Sequence, residues 1–249
     1  MASDELMLCM TGDPLWAEHC EEVAFNSYPA AVMPDFKGLR YITCPNQTVS
    51  DSKNHHPGID NRGPFLAMNP FSSRCCQHNH AQGWPYYAEH LILATPDNGV
   101  AAAMYAACKA TVKVGDGNEI SLHEQTNYPF EETIRFTVNT PKAVSFPFYL
   151  RIPSWTEGAT IFVNGKKVAA NPEAGQYACI NREWKDNDQV EIQLPMQLSM
   201  RTWQVNKNSV SVDYGPLTMS LKIDEDYVKK DSRATAIGCL LYTSPSPRD

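Results

Sequence analysis

The sequence predicts a mixed α+β chain, with helices and long loops first and an antiparallel β-sandwich after them. Three observations carry this. The apolar pattern changes period at Thr95–Gly99, from about 3.6 residues to 2. Short runs rich in β-branched and aromatic residues then follow one another with no helical pattern between them. The chain has 249 residues, 43% hydrophobic and 20% charged, enough for one large domain or two ordinary ones.

The opening "ELMLCMTGDPLWAEHCEEVAFNSY" reads as the end of one helix, a turn and a second helix. Asp13 is the cap, Pro14 fits the first helical position, and Leu15, Cys20, Val23 and Phe25 or Asn26 trace a face. His80–Thr95 reads as another helix, with Pro85 near its start. Between them "YITCPNQTVSDSKNHHPGIDNRGPF" is polar and too long for a simple connector; such loops often carry function.

From "KATVKVG" through "NEISLHEQ", "TIRFTVNT", "VSFPFYLRIP", "ATIFVNGKKV", "QYACIN", "DQVEIQLP", "SVSVDYG" and "LTMSLKI" the period is two, and Asn164-Gly165 marks a hairpin turn. No long helix is expected after the boundary. The expected organisation is 1–97, 98–223, the start of a further segment at 224–238, and a tail at 239–249. The tail, "CLLYTSPSPRD", changes composition abruptly and resembles the translation of a sequencing-library adapter, so it is expected to pack against nothing.

The net charge of −7 and the lack of any Lys/Arg-rich run argue against a nucleic-acid partner. No apolar run reaches the roughly 18 residues of a membrane helix. The N-terminus has no basic region followed by an apolar core, and the first helices need partners that an upstream segment is expected to supply. Eight cysteines in so long a chain do not imply a disulfide framework, and no CxxC is present.

The stretch "SSRCCQHNH" places Cys75 beside Cys76. Adjacent Cα atoms lie about 3.8 Å apart and a disulfide prefers roughly 4.4–6.8 Å, so a vicinal bridge is strained. Two uses remain open: small buried apolar residues, or two thiolates on one soft metal ion.

"CCQHN", "GWPYYAEHLILATPDNGVAAAMY", "NYPFEETIRFTV", "YLRIPSW", "VNGK" and "VDYGPL" together resemble the bacterial β-L-arabinofuranosidase family, glycoside hydrolase family 127, from about Thr11 to Ile223. The resemblance implies that 1–97 is the C-terminal part of an (α/α)6 catalytic barrel and that a β-sandwich follows. It implies Zn2+ bound by Cys75 and Cys76, with Cys75 as nucleophile in a retaining glycosidase acting on β-L-arabinofuranosides. Two further zinc ligands, a Glu and a Cys of an E-x-C motif, and the general acid Glu are expected upstream of residue 1, so the chain alone is expected to bind zinc poorly and to be inactive. Plant or microbial glycans containing L-arabinofuranose are the implied partners, and a bacterial cytoplasm or periplasm the implied setting.

Other candidates carry bland readings beside the functional ones. Glu21, in "EEVAFN", faces the pocket or lies on a solvated helix face. Tyr41, in "LRYIT", lines the pocket or the core. His78 binds sugar or orients a thiolate, or is an ordinary loop residue. His55 and His56 read as exposed, Trp84, Tyr86 and Tyr87 as sugar-site or packing residues, and Trp155 and Trp184 as core. The competing functions are a noncatalytic carbohydrate-binding protein, a structural zinc protein, and a relative with another sugar specificity.

Overall fold

A computed structural model describes residues 1–34, 36, 38–40, 66–67, 74–168, 173–222, 227–229 and 240–242. It is a mixed α+β chain dominated by sheet. Helices α1 (Ala2–Thr11) and α2 (Pro14–Glu22) pack as a hairpin. The turn follows from local chemistry: Gly12 takes the left-handed conformation and donates to Leu8, Asp13 accepts from the Leu15 N–H, and Pro14 opens α2.

The buried stripe of α2 differs from the expected face. Ala17, Cys20, Glu21 and Ala24 are buried, with i, i+3, i+4, i+7 spacing, while Leu15 is 47% exposed. A π-helical turn, Val23–Ser27, extends α2 into the single turn α3 (Tyr28–Ala30). The wider turn lets Asn26 donate to the carbonyls of Glu22 and Pro216 at 2.8 Å and accept from Thr218 N at 2.7 Å.

Strands β1 (Leu39–Arg40) and β2 (Leu66–Ala67) pair with each other. Helix α4 spans Arg74–Glu89, so the helix expected at 80–95 begins earlier and contains the cysteine pair. Pro85 therefore lies in its interior, flanked by exposed residues where solvent can serve the freed carbonyl. The apolar run that continued the helical pattern instead forms β3 (Ile92–Ala94), paired with β4 (Val100–Ala102). Tertiary pairing decided a short apolar run that periodicity leaves ambiguous.

Next come β5 (Cys108–Val114), β6 (Asn118–Thr126), β7 (Thr133–Asn139), β8 (Val144–Ile152), β9 (Thr160–Val163), β10 (Lys166–Lys167), β11 (Gln176–Trp184) and β12 (Asp188–Gln193). They build a six-stranded sheet, β10-β9-β12-β7-β6-β5, and a four-stranded one, β11-β8-β4-β3. All pairs are antiparallel except β4 with β8, which is parallel. The Asn164-Gly165 turn is present, with φ of 50° and 76°.

Alternation along the strands sends one side of each sheet into a shared core: Ile120 and Leu122, Ile134, Phe136 and Val138, Phe146, Phe148 and Leu150, Val190 and Ile192. Trp184 is fully buried there and its indole N–H donates to Phe146 O. A smaller cluster of Leu8, Ala17, Cys20, Ala24, Tyr87, Leu91, Ala103 and Met104 joins the helices to the sheet edge, and Phe25 touches both clusters.

Strands β13 (Leu198–Trp203), β14 (Ser209–Tyr214) and β15 (Leu217–Met219) form a separate three-stranded sheet; β13 was not expected. Among the described residues the only helical turn beyond residue 99 is Gln204–Asn206. Strand β16 (Tyr227–Lys229) pairs with β17 (Leu240–Tyr242), so part of the tail does find a partner. Those three residues are the tail's one apolar run, and backbone pairing asks little of side-chain identity.

Glu124 on β6 is buried, accepting from Ala106 N at 3.1 Å and from the Cys108 thiol at 3.7 Å. Burial holds its carboxyl well above the ordinary 4.5, outweighing these hydrogen bonds. The unfolded chain releases this proton near 4.5 and the folded chain keeps it, so stability falls as pH rises above that value. Glu124→Gln keeps an acceptor for Ala106 and removes the titration. Thermal melts should match wild type near pH 4 and exceed it by roughly 3 °C or more near pH 8; equal offsets at both pH values would contradict the assignment.

Candidate functional site

The cysteine pair sits in the first turn of α4, Cys75 exposed and Cys76 half-buried. Both thiols are free, with Sγ atoms 3.8 Å apart, nearly twice a disulfide bond. Burial, then the hydrogen bond and charge of Cys75, raise the Cys76 thiol above its ordinary value. A divalent cation would reverse that balance by favouring both thiolates. Two sulphurs bound at 2.3 Å to a tetrahedral zinc lie about 3.8 Å apart, so the pair matches two corners of such a site.

Among the described residues no three His, Cys, Asp or Glu side chains gather around a common point as a metal site would require. One E-x-C string does occur, Glu18-His19-Cys20, and it escaped the sequence reading. Its residues are committed elsewhere. Cys20 is fully buried and donates to Glu5 Oε1, while Glu18 accepts from the Ser154 N–H at 2.7 Å and from the Ser154 hydroxyl.

The remaining candidates scatter. Tyr41, His55 and His56 lie outside the described residues. His78 is exposed on α4, two positions beyond the pair. Trp84 and Tyr86 are 45% and 41% exposed, whereas Tyr87 is buried and donates to Tyr105 O. Trp184 is core, as expected, and Trp155 is half-buried.

Glu21 is neither on a solvated face nor open to a pocket: it is 1% exposed. Its Oε2 lies 2.5 Å from Arg151 Nη2 and accepts from the Tyr128 hydroxyl at 2.7 Å, and its Oε1 accepts from Tyr105 N at 3.0 Å. Arg151 is 0% exposed, donates from Nε to Ala103 O, and lies 5.4 Å over the Tyr105 ring. This network ties α2 to β8. The signal in the sequence was Arg151 itself, a charge inside the apolar run "SFPFYLRI", which demands a buried anion.

A cleft of about 200 Å³ separates α2 from the β13–β15 sheet, lined by Glu18, Glu22, Trp155, Arg201 and Asp213. Its charges answer one another. Arg201 pairs with Glu22 and Asp213 and stacks 4.4 Å over Trp203. The cleft is a junction between elements rather than an open site.

Two domain profiles of one family match the chain. "Beta-L-arabinofuranosidase, GH127 catalytic domain" covers residues 1–89, and "Beta-L-arabinofuranosidase, GH127 middle domain" covers residues 99–196. Similar solved structures include a GH127 β-L-arabinofuranosidase from Geobacillus stearothermophilus T6, at 26% identity and TM-score 0.72 over 85% of this chain. A glycoside hydrolase matches at 27% identity and TM-score 0.71 over 95% of this chain. A GH127 β-arabinofuranosidase at 22% identity, with TM-score 0.69 over 86% of this chain, shares the fold. Comparison with curated proteins gives no match.

These matches place the chain among the glycoside hydrolases. It belongs to glycoside hydrolase family 127, that of the β-L-arabinofuranosidases. It spans 33%, 41% and 34% of the lengths of the three solved relatives.

Removing one partner of the Glu21–Arg151 pair leaves an uncompensated buried charge. Arg151→Leu is expected to lower unfolding stability by about 3–5 kcal/mol, read from urea midpoints, and the double variant with Glu21→Leu to recover a large part of it. A double-variant loss equal to the sum of the two single-variant losses would show that the pair is not coupled.

Proposed function

We propose that the protein to which this chain belongs is a retaining glycoside hydrolase that releases L-arabinofuranose from β-L-arabinofuranosides, with Cys75 as nucleophile. Family membership supports the substrate class. The observation that carries the cysteine reading is the 3.8 Å separation of two free sulphurs at a helix start in a chain of this family. In this proposal residues 1–97 are the last part of an (α/α)6 barrel and 98–223 a β-sandwich that buttresses it. Cys75 and Cys76 hold zinc with two ligands from elsewhere in the protein, and zinc when bound favours the thiolate form of both sulphurs.

The chemistry then rests on the chain's own sulphur. Cys75 Sγ attacks the anomeric carbon as the bond from that carbon to the leaving oxygen breaks. A carboxylic acid contributed by another part of the protein gives its proton to that oxygen. The resulting thioglycoside is opened by water, which loses a proton to the same carboxylate, returning Cys75 as thiolate and the sugar with its original configuration. Cys76 remains bound beside it. Tyr41 and His78 are proposed to contact sugar hydroxyls. The buried, fully committed Glu21 is proposed to hold α2 against β8 rather than touch substrate.

In the full-length enzyme, Cys75→Ser should lower hydrolysis of an aryl β-L-arabinofuranoside by roughly a thousandfold or more, because a hydroxyl is a far weaker nucleophile near neutral pH. An arabinofuranose-configured electrophile should label the Cys75 peptide in intact-mass and mapping experiments. A label on a carboxylate, or full turnover by Cys75→Ser, would sink the cysteine-nucleophile reading and leave the pair a structural zinc clip.

A further inference from the structure

Helix α4 carries the cysteine pair, yet among its described side chains only Gly83 and Tyr87 are buried. A helix held by so narrow a stripe is free to roll unless something stops it. One residue from another element meets that stripe twice. The Tyr28 ring stacks on the His80 imidazole with centroids 4.1 Å apart and planes within 3°. The Tyr28 hydroxyl donates to the His80 carbonyl, and His80 Nε2 donates back to the Tyr28 carbonyl at 3.1 Å. Trp84 meets the same Tyr28 ring edge-on at 5.2 Å. Glycine at position 83 leaves room for this, because a Cβ there would clash with Tyr28 Cε2 and displace the ring.

On a helix, positions 76, 80, 83 and 87 form one stripe, at intervals of four, three and four residues. Cys76 therefore continues the stripe that His80, Gly83 and Tyr87 press against the body of the protein. Cys75 is turned from it by about 100°. Their burial agrees: Cys76 is half-buried and Cys75 exposed. Two adjacent cysteines on a helix are chemically alike, and only the roll of the helix tells them apart.

We propose that Tyr28, His80 and Gly83 form a lock on the roll of α4 that turns Cys76 inward and presents Cys75 outward, which makes them positioning residues for the outward sulphur. The catalytic meaning of this lock rests on the reading of Cys75 as nucleophile; the lock itself does not. A merely structural contact would alter stability while leaving the two thiols in the same order of reactivity.

The test uses the 249-residue chain, stripped of metal, pulsed with iodoacetamide and mapped peptide by peptide. Wild type should modify Cys75 about fivefold or more faster than Cys76. Tyr28→Leu removes the stack and the hydroxyl and should bring that ratio below about twofold. Tyr28→Phe keeps the stack and should keep most of the preference, and Tyr86→Leu, on the exposed side of the same helix, should leave it unchanged. Far-UV circular dichroism reports whether each variant is folded. If Tyr28→Leu is not, Gly83→Ala, which displaces the ring, takes its place with the same expectation. A wild-type ratio near one or inverted overturns the lock, and so does a folded Tyr28→Leu or Gly83→Ala chain with the wild-type ratio. No sugar is involved, so these outcomes are independent of whether Cys75→Ser abolishes hydrolysis in the full-length enzyme.

Discussion

The buried pair of Glu21 and Arg151 is the constraint on which the relation of helices to sheets depends. Neither charge reaches water, and each alone would cost several kcal/mol to bury. What offsets that cost is a set of three residues: Tyr128 and Tyr105 on the carboxylate, Ala103 and the Tyr105 ring on the guanidinium. Every one of them must be in place for the arrangement to be tolerable. A hydrophobic contact would admit sliding, whereas this one admits a single register of α2 on β8. Asn26 adds a second point of attachment through the π-helical turn, gripping the β14–β15 turn. Between them the two contacts fix both the position and the tilt of the helical part.

Much of the sheet was legible because period-two alternation is a direct image of one buried face. Ile134, Phe136 and Val138 are buried where the pattern says they should be. What escaped reading has physical causes. Strands β3 and β4 are three residues each, too short for any period, and β4 is recruited by parallel pairing with β8, a partner remote in sequence. The start of α4 was missed because Cys75–Asn79 is polar and reads as loop, although it is simply the solvated first turn of a helix whose apolar contacts begin at His80. The face of α2 was misplaced because Leu15 outweighed Ala17 on hydrophobicity, while the small residue is the one that allows close approach.

Of the candidate site, the adjacency of the cysteines was legible and their inequality was not. Neighbouring residues on a strand would point to opposite faces; on a helix they diverge by about 100° and their sulphurs still meet. The 3.8 Å separation with one sulphur in and one out is therefore a property of the helical start. The role of Glu21 was illegible for a different reason. A Glu next to another Glu on a helix looks solvated, and only its remote cationic partner makes it a core residue.

The distance along the chain between the members of the Glu21 network has a consequence for biosynthesis. Tyr128 follows Glu21 by 107 residues, and Arg151 comes later still. At about 5–20 residues per second, ribosomal synthesis delivers Tyr128 roughly 5–20 seconds after Glu21. Throughout that interval α1 and α2 are present while Tyr128 and Arg151, which complete their carboxylate, are not. The nascent helical segment cannot dock in its final place, and its apolar stripe stays open to other partners. The contact that holds the first helices in register is thus completed only when the β8 strand, made late, supplies Arg151.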